Sequence, residues 1–286
     1  MPKISVVTDS DASLPDEMAR TLNIWQVPIS IHFGEEVFES GVNIDDASLF
    51  ERIDREGVLP TTAAPTPGKF ARVFRQAFEQ DRSDCLLCLC VSGEISATYN
   101  SAKLAAEEMP EKEIRVIDTR SLSLGQGYMA MAAAQAVKDG ADLDAAVRVA
   151  EDVGSRTFLF GALSTLKYLS MSGRVSQLAA GMAGMLDIKP ILSVQNGKLE
   201  MIEKIRTRRR SWERLIELAR SSAGSRAIEK AAVVHVNAPR EAQVFRDMLL
   251  AGLENCPDDI LVTDLSAGLA VHTGAGMVAV SLVVAK

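Results

Sequence analysis

The chain has 286 residues, too many for one small domain and suited to one large or two modest ones. Apolar residues make up 47% and charged residues 24%, an ordinary globular balance, and with aromatics at only 5% the core must come from Leu, Ile, Val, Ala and eleven Met. A net charge of −7 excludes nucleic acid as a general partner, since that would need a basic surface to displace counterions.

Lys3 to Thr8 reads as a buried strand at the very start, with no basic region leading into a long apolar stretch, so no signal peptide is expected. No window reaches 18 consecutive apolar residues, and a reducing cytoplasm is the expected compartment. Pro15 to Leu22 reads as a short helix with Ser13 as its cap, and Ile24 to Phe33 as one extended run. Gly34-Glu-Glu-Val-Phe-Glu-Ser40 reads as a turn and a short edge strand. Phe70, Val73, Phe74, Ala77 and Phe78 recur at helical spacing, with Pro67 in the first turn and Thr66 at the cap. Cys85-Leu-Leu-Cys-Leu-Cys-Val91 is apolar without alternation, as in a strand covered on both faces of a parallel sheet. A helix over Ser96–Glu108, a strand over Ile114–Asp118 and a helix over Gly125–Lys138 complete a strand–helix repetition that predicts a doubly wound α/β layer.

The second half changes character. Thr157 to Leu163 is extended, Ser164 to Ser170 is a helical turn or two, and Gln195-Asn-Gly-Lys198 is a hairpin signal. Helices follow at Arg208–Ser222 and Arg240–Leu253, and strands at Ala231–Val236, Ile260–Leu265 and Met277–Val284. Hairpins mixed with helices predict a two-layer α+β domain with a mixed sheet, and we place the boundary near Gly154, dividing the chain into 1–154 and 155–286.

Four loops gather hydroxyls, glycines or a His at strand ends, where ligands bind in open α/β sheets. Pro60-Thr-Thr-Ala-Ala-Pro-Thr-Pro67 is either a rigid turn or a hydroxyl donor site. Ser92-Gly-Glu-Ile-Ser-Ala-Thr-Tyr-Asn-Ser-Ala102 is either an N-cap at Ser96 or an anion site. Met171-Ser-Gly-Arg-Val-Ser176, with the Met- and Gly-rich run to Leu186, is either a closely packed helix or a pliable wall around an apolar ligand. In Ala270-Val-His-Thr-Gly-Ala-Gly276, His272 either is a satisfied structural residue or donates to an oxyanion, while His32 and His235 carry no assigned role. Lys204-Ile-Arg-Thr-Arg-Arg-Arg210 stands out against the acidic background, and Arg at a helix start opposes the dipole.

Gly-x-Ser-x-Gly is absent, and so are a Walker loop, His-Glu-x-x-His and a complete dinucleotide fingerprint. In a strand Cys88 and Cys90 share one face and Cys85 points the other way, so the three thiols cannot converge, and no metal or other cofactor is expected.

In this order the loops resemble the DegV family over essentially the whole chain. The resemblance rests on Thr8-Asp-Ser10, Pro60-Thr-Thr62 with Pro65, Ser92 to Ala102 with Ser96, Thr98 and Tyr99, and Val116-Ile-Asp118. It continues through Leu166-Lys-Tyr-Leu169, Gly173-Arg174, Ile188-Lys-Pro-Ile191, Lys204-x-Arg206 and His272-x-Gly-x-Gly276. The chain departs from the family pattern at Ala63-Ala64 (usually Ser-Gln), Gly93 (a second Ser), Ala97 (Gly), Ser172 (Gly) and Ala275 (Pro).

The resemblance implies a two-domain α/β fold, an N-terminal three-layer α/β/α domain and a C-terminal two-layer one, with a long-chain fatty acid buried between them. It implies a lipid carrier without catalysis of its own, which presents the acid to a separate ATP-dependent fatty-acid kinase subunit for acyl phosphate and phospholipid synthesis. Transient membrane contact is compatible with that role. On this reading Thr62, one of Ser92 and Ser96, and His272 bind the carboxylate. Gly93, Ile95, Thr98, Met182, Met185 and Gly274 line the pocket, and Arg174 and Arg206 face the kinase or the phosphate. The alternative of a different class is a stand-alone phosphotransferase or hydrolase acting on a small phosphorylated or acyl substrate.

Overall fold

The computed structural model describes residues 2–172 and 188–286. In chain order the strands are β1 Ile4–Asp9, β2 Ile24–Val27, β3 Ser30–Phe33, β4 Glu36–Glu39, β5 Thr61–Ala63, β6 Cys85–Cys90, β7 Glu113–Asp118, β8 Thr157–Ala162, β9 Lys189–Gln195, β10 Lys198–Ile205, β11 Ile228–His235, β12 Leu261–Asp264 and β13 Val278–Val284. The helices are α1 Asp16–Thr21, α2 Asp46–Glu56, α3 Pro67–Asp81, α4 Thr98–Glu107, α5 Ser123–Lys138, α6 Leu143–Ser155, α7 Lys167–Met171, α8 Arg208–Ala223, α9 Pro239–Gly252 and α10 Ala267–Thr273. No helix among the described residues is long and apolar enough to cross a membrane.

The N-terminal half is built on a four-stranded parallel sheet in the order β2-β1-β6-β7. Every residue of β1 and β6 is buried, as expected for strands covered on both faces. Leu86, Cys88 and Cys90 pack with Phe70 and Phe74 of α3 and Ala102 of α4 on one side. Cys85, Leu87 and Leu89 pack on the other side, with α5 and α6. This is the doubly wound layer that the strand–helix repetition predicts and the three-layer α/β/α arrangement that the resemblance implies. The thiols divide between the two faces as the strand period requires.

The C-terminal half carries a six-stranded mixed sheet in the order β10-β9-β8-β13-β11-β12, in which only the β11–β12 pair is parallel. One face packs against α8 and α9 through Trp212, Leu215, Phe245 and Leu249. Ala232, Val234 and Ala279 on the other face join the core that contains Leu124, Tyr128 and Met129 of α5. Helix α5 therefore lies between the two sheets, and its first eight residues are all buried. Small side chains permit this: a Cβ on Gly127 would sit 2.7 Å from the Ala12 carbonyl oxygen, and one on Gly154 would sit 2.8 Å from the Met129 sulfur.

The extended run from Ile24 to Phe33 is two strands in two sheets. Pro28, which has no N–H and a fixed φ, separates β2 from β3, and β3 forms the centre of a three-stranded antiparallel sheet, β4-β3-β5. The Thr61–Ala63 segment, expected as a turn, is the third strand of that sheet. Helices α2 and α6 were not foreseen. Each opens on an Asp whose carboxylate accepts a backbone N–H, Asp45 from Ser48 at 2.7 Å and Asp142 from Ala145 at 2.8 Å. Ser13 does not cap α1. It adopts a left-handed φ of 52° and its hydroxyl accepts the Ser266 N–H from the C-terminal half.

Two outcomes follow from this packing. Gly127→Ala should lower stability by about 1–3 kcal/mol, because backbone rather than a flexible side-chain tip occupies the space; urea midpoints of variant and wild type measure it. The second concerns Asp9, a buried carboxylate at the end of β1 that accepts the N–H groups of Val91 and Asp11. Burial pushes its pKa from 3.8 up to about 6. Between those values the folded chain keeps a proton that the unfolded chain gives up, so this group's contribution to stability falls as pH rises through that window. Relative to Asp9→Asn, the wild type should lose on the order of 2 kcal/mol between pH 4 and pH 7, read from denaturant midpoints at each pH.

Candidate functional site

An apolar cavity with ≈ 940 Å³ of empty space, including its mouth, lies between the parallel and mixed sheets. Leu159 and Gly161 of β8, Leu192 and Val194 of β9, and Ala279 of β13 form its floor. Ile29, Ile95 and Leu122 close it from the N-terminal half. Polar groups are few. Thr62, Ser96, Ser123, His272 and Asp11 are among them, contributed by loops and strand ends of both halves. Aliphatic walls with a few placed polar groups are the usual make-up of a site for a largely hydrocarbon ligand.

Each polar group is held from outside the cavity. Thr62 is positioned by the β3–β5 ladder, where it pairs with Ile31. Its Oγ1 lies 2.9 Å from His272 Nε2. His272 sits in the last turn of α10, a helix capped by the Ser266 hydroxyl and ended by Gly274 at a φ of 79°. A Cβ on Gly274 would stand 2.2 Å from the Tyr168 ring, so only glycine lets the helix end turn there. The Ser96 hydroxyl is 2.8 Å from that of buried Thr98, just before α4.

Of the expected site residues, Thr62, Ser96, His272 and Ile95 line the cavity. Ser92 lies behind the wall, with its hydroxyl donating to the Gly197 carbonyl at 2.6 Å. That bond clasps the β9–β10 turn to the N-terminal half, together with a bond from the Arg120 guanidinium to the Asn196 carbonyl and a Lys198–Glu94 ion pair at 3.8 Å. The hairpin so held places Leu192, Val194 and Leu199 against the cavity. Gly93, Thr98 and Gly274 also stand outside the lining. A Cβ on Gly93 would come within 3.1 Å of Asp118 and 3.2 Å of Tyr99, which is a local reason for glycine here. Ala63 and Ala64, the departure from the usual Ser-Gln of the family pattern, line the cavity with methyl groups. Arg174, Met182 and Met185 fall outside the described residues.

Sequence reasoning missed Asp11 and Ser123. Asp11 is buried at the cavity and accepts the Ser266 hydroxyl at 3.0 Å, joining the first strand's end to α10. The Thr8-Asp-Ser10 run pointed to this loop without assigning a role. Ser123 opens α5 at a left-handed φ of 49°, and among the described residues its buried hydroxyl has no hydrogen-bond partner. No motif marks it.

Arg206 is exposed at the end of β10 and makes no ion pair among the described residues. Arg209 and Arg210 pair with Glu213 of their own helix, whereas Arg208 reaches Glu241 at 3.3 Å. Arg208 Nη2 also lies 3.6 Å from where a Cβ on Gly276 would be, four residues beyond His272. Arg208 therefore lies beside the turn that follows α10.

Comparison with known proteins agrees with this architecture. A family model described as "Uncharacterised protein, DegV family" matches residues 3–285. A DegV domain-containing protein of Streptomyces coelicolor is 32% identical over 97% of this chain and 97% of its own. The protein DegV of Bacillus subtilis is 30% identical over 87% of this chain and 88% of its own. Among solved structures, a DegV family protein from Thermus thermophilus, described for its fatty acid binding, superposes with a TM-score of 0.91 at 29% identity over the full length of both chains. Bacillus subtilis DegV, described as a fatty acid binding protein, does so with a TM-score of 0.90 at 27% identity, again over the full length of both. The chain belongs to the DegV family.

Proposed function

We propose that this protein binds one long-chain fatty acid in the cavity between its sheets and presents the carboxyl group to a separate ATP-dependent kinase subunit. The observation that carries the first part is the apolar cavity with hydroxyl and imidazole groups gathered from both halves. The two solved relatives described as fatty acid binding support it. Burial of hydrocarbon contributes about 0.8 kcal/mol per CH₂, so a sixteen-carbon tail offers on the order of 10 kcal/mol. The head group then needs only neutral donors to fix its orientation. Thr62, Ser96 and His272 fill that role in this reading, with Ser123 as a further donor. Hydroxyls and an imidazole leave the carboxylate nucleophilic, whereas a bidentate Arg would hold its lone pairs.

The test is solvent extraction of freshly purified protein with lipid analysis. One fatty acid per chain is expected, and neither recovered lipid nor thermal stabilisation by added oleate or palmitate would end the reading. Thr62→Ala, Ser96→Ala and His272→Ala should each weaken binding by about 1–2 kcal/mol without abolishing it, because the tail contribution survives.

Delivery is tested separately. Arg206, exposed just beyond β10 in the basic run, is suited in this reading to meeting an acidic kinase surface or the incoming phosphoryl group. Arg206→Ala should keep near-normal lipid affinity and lose most acyl phosphate formation with kinase and ATP. An equal fall in both would move Arg206 into lipid binding, and no change in either would leave it a surface charge.

The Thr62–His272 contact also favours a second reading, since a hydroxyl beside an imidazole is half of a nucleophile–base arrangement. Turnover of an acyl ester by the purified chain alone, lost in His272→Ala, would select that reading.

A further inference from the structure

The mixed sheet has one parallel pair, β11 and β12, and at its carboxyl end His235 and Asp264 are register partners. Strand carboxyl ends are where α/β sheets place ligands. Across from them Asp46 opens α2, a helix of the N-terminal half. One nitrogen of His235 and one carboxylate oxygen from each Asp lie within 4.8 Å of one another. His235 and Asp46 are each only 6% exposed.

Two features set this group apart from an ordinary buried ion pair. The His235 Nδ1 lies 3.1 Å from Asp264 Oδ1, yet it has no properly directed hydrogen bond among the described residues. The carboxylate stands off the direction in which the ring nitrogen would donate, which leaves that nitrogen's own axis unused. Asp46 is turned toward the group by the Asn237 N–H, which donates to its Oδ2 at 2.7 Å.

A void of ≈ 1430 Å³, including its opening to solvent, adjoins the group and is lined by Asp46, Asp264, Ser13, Ser40 and Thr263. It shares only Leu265 with the apolar cavity. There is thus a route in for a hydrated ion and room for its remaining water ligands.

We propose that Asp46, His235 and Asp264 form a divalent-cation site joining the start of α2 to the mixed sheet. One imidazole nitrogen with two carboxylate oxygens suits Zn²⁺ or Mn²⁺, whereas Mg²⁺ and Ca²⁺ take oxygen ligands almost exclusively. The two Asp charges are neutralised by the ion, and water completes the coordination. The site also bears on the lipid cavity. Asp264 is followed by Leu265, a cavity wall residue, and by Ser266, which caps the helix that carries His272. A bound ion braces this run at its first residue.

The experiment uses the full chain, stripped with chelator and titrated with ZnCl₂ and, separately, MnCl₂, by calorimetry and thermal melting. One equivalent should bind and the melting temperature should rise. Asp264 is exposed, so Asp264→Asn should fold normally, bind Zn²⁺ at least about tenfold more weakly, and keep the wild-type content of extracted lipid. His235→Gln should behave in the same way. Saturation of Asp264→Asn and His235→Gln at wild-type affinity would overturn the proposal and move the ion elsewhere. So would absence of binding up to high micromolar Zn²⁺ and Mn²⁺.

Discussion

Helix α5 packs against the parallel sheet on one side and the mixed sheet on the other, and the rest of the molecule depends on that shared burial. A sheet with apolar side chains on both faces must be covered twice. The parallel sheet receives α3 and α4 on one face and α5 with α6 on the other. The mixed sheet receives α8 and α9 on its outer face, and its inner face is left to α5 and to whatever fills the cavity. Gly125 and Gly127 and the alanines of α5 keep the helix thin enough to lie between them. The two halves are therefore parts of one continuous core.

The cavity is the part of that interface that α5 leaves unfilled, touching it only through Ser123 at its start. Its floor is the inner face of β8, β9 and β13, and its roof is a set of loops at the carboxyl ends of parallel strands. A solvent-filled void of this kind would leave aliphatic side chains in water, so an apolar occupant stabilises the pair of sheets as well as itself. Thr62 and His272 meet where the small antiparallel sheet packs against α10. The β9–β10 hairpin closes a further side, and its turn is clasped by Ser92 and Arg120 across the boundary between the halves. The polar groups that line the cavity and those that hold the halves together lie on the same loops, so in the proposed reading binding and the relative position of the halves are one equilibrium.

The same boundary gathers buried charge. Asp9, Asp11 and Asp46 are all largely buried, and each accepts hydrogen bonds that tie a strand end or loop to a neighbouring element. Asp11 to Ser266 and Asp46 to Asn237 both cross between the halves. Carboxylates serve here as acceptors for backbone and hydroxyl donors that would otherwise be left unsatisfied where three sheets meet. The exposed cations of α8 act differently. Arg209, Arg210 and Arg214 are largely balanced by glutamates on or beside their own helix. Arg206, just before that helix, makes no ion pair among the described residues.

Local pattern determined a large share of this protein. The unbroken apolar run at Cys85 required a strand covered on both faces, the Phe70 periodicity required α3, and Asn196-Gly197 required the hairpin, because each signal is a short-range property of the backbone and its nearest side chains. The loops Pro60–Pro67, Ser92–Ala102 and Ala270–Gly276 stood out for a related reason, that hydroxyls and an imidazole between apolar elements are costly unless used, while the choice of Thr62, of Ser92 or Ser96, and of His272 within them came from the resemblance to the DegV family. What local pattern could not determine is which loop faces which. That Thr62 meets His272 across 210 positions, that Ser92 turns to Gly197 while Ser96 turns to the cavity, and that Asp11 reaches Ser266 depend on where α5 holds the sheets. The division of one extended run at Pro28 and the pairing of Thr61–Ala63 into a sheet were likewise decided by partners distant in sequence. His235 shows this most clearly: alone it is an unremarkable residue in an apolar strand, and only parallel pairing with β12 and the approach of α2 set two carboxylates beside it.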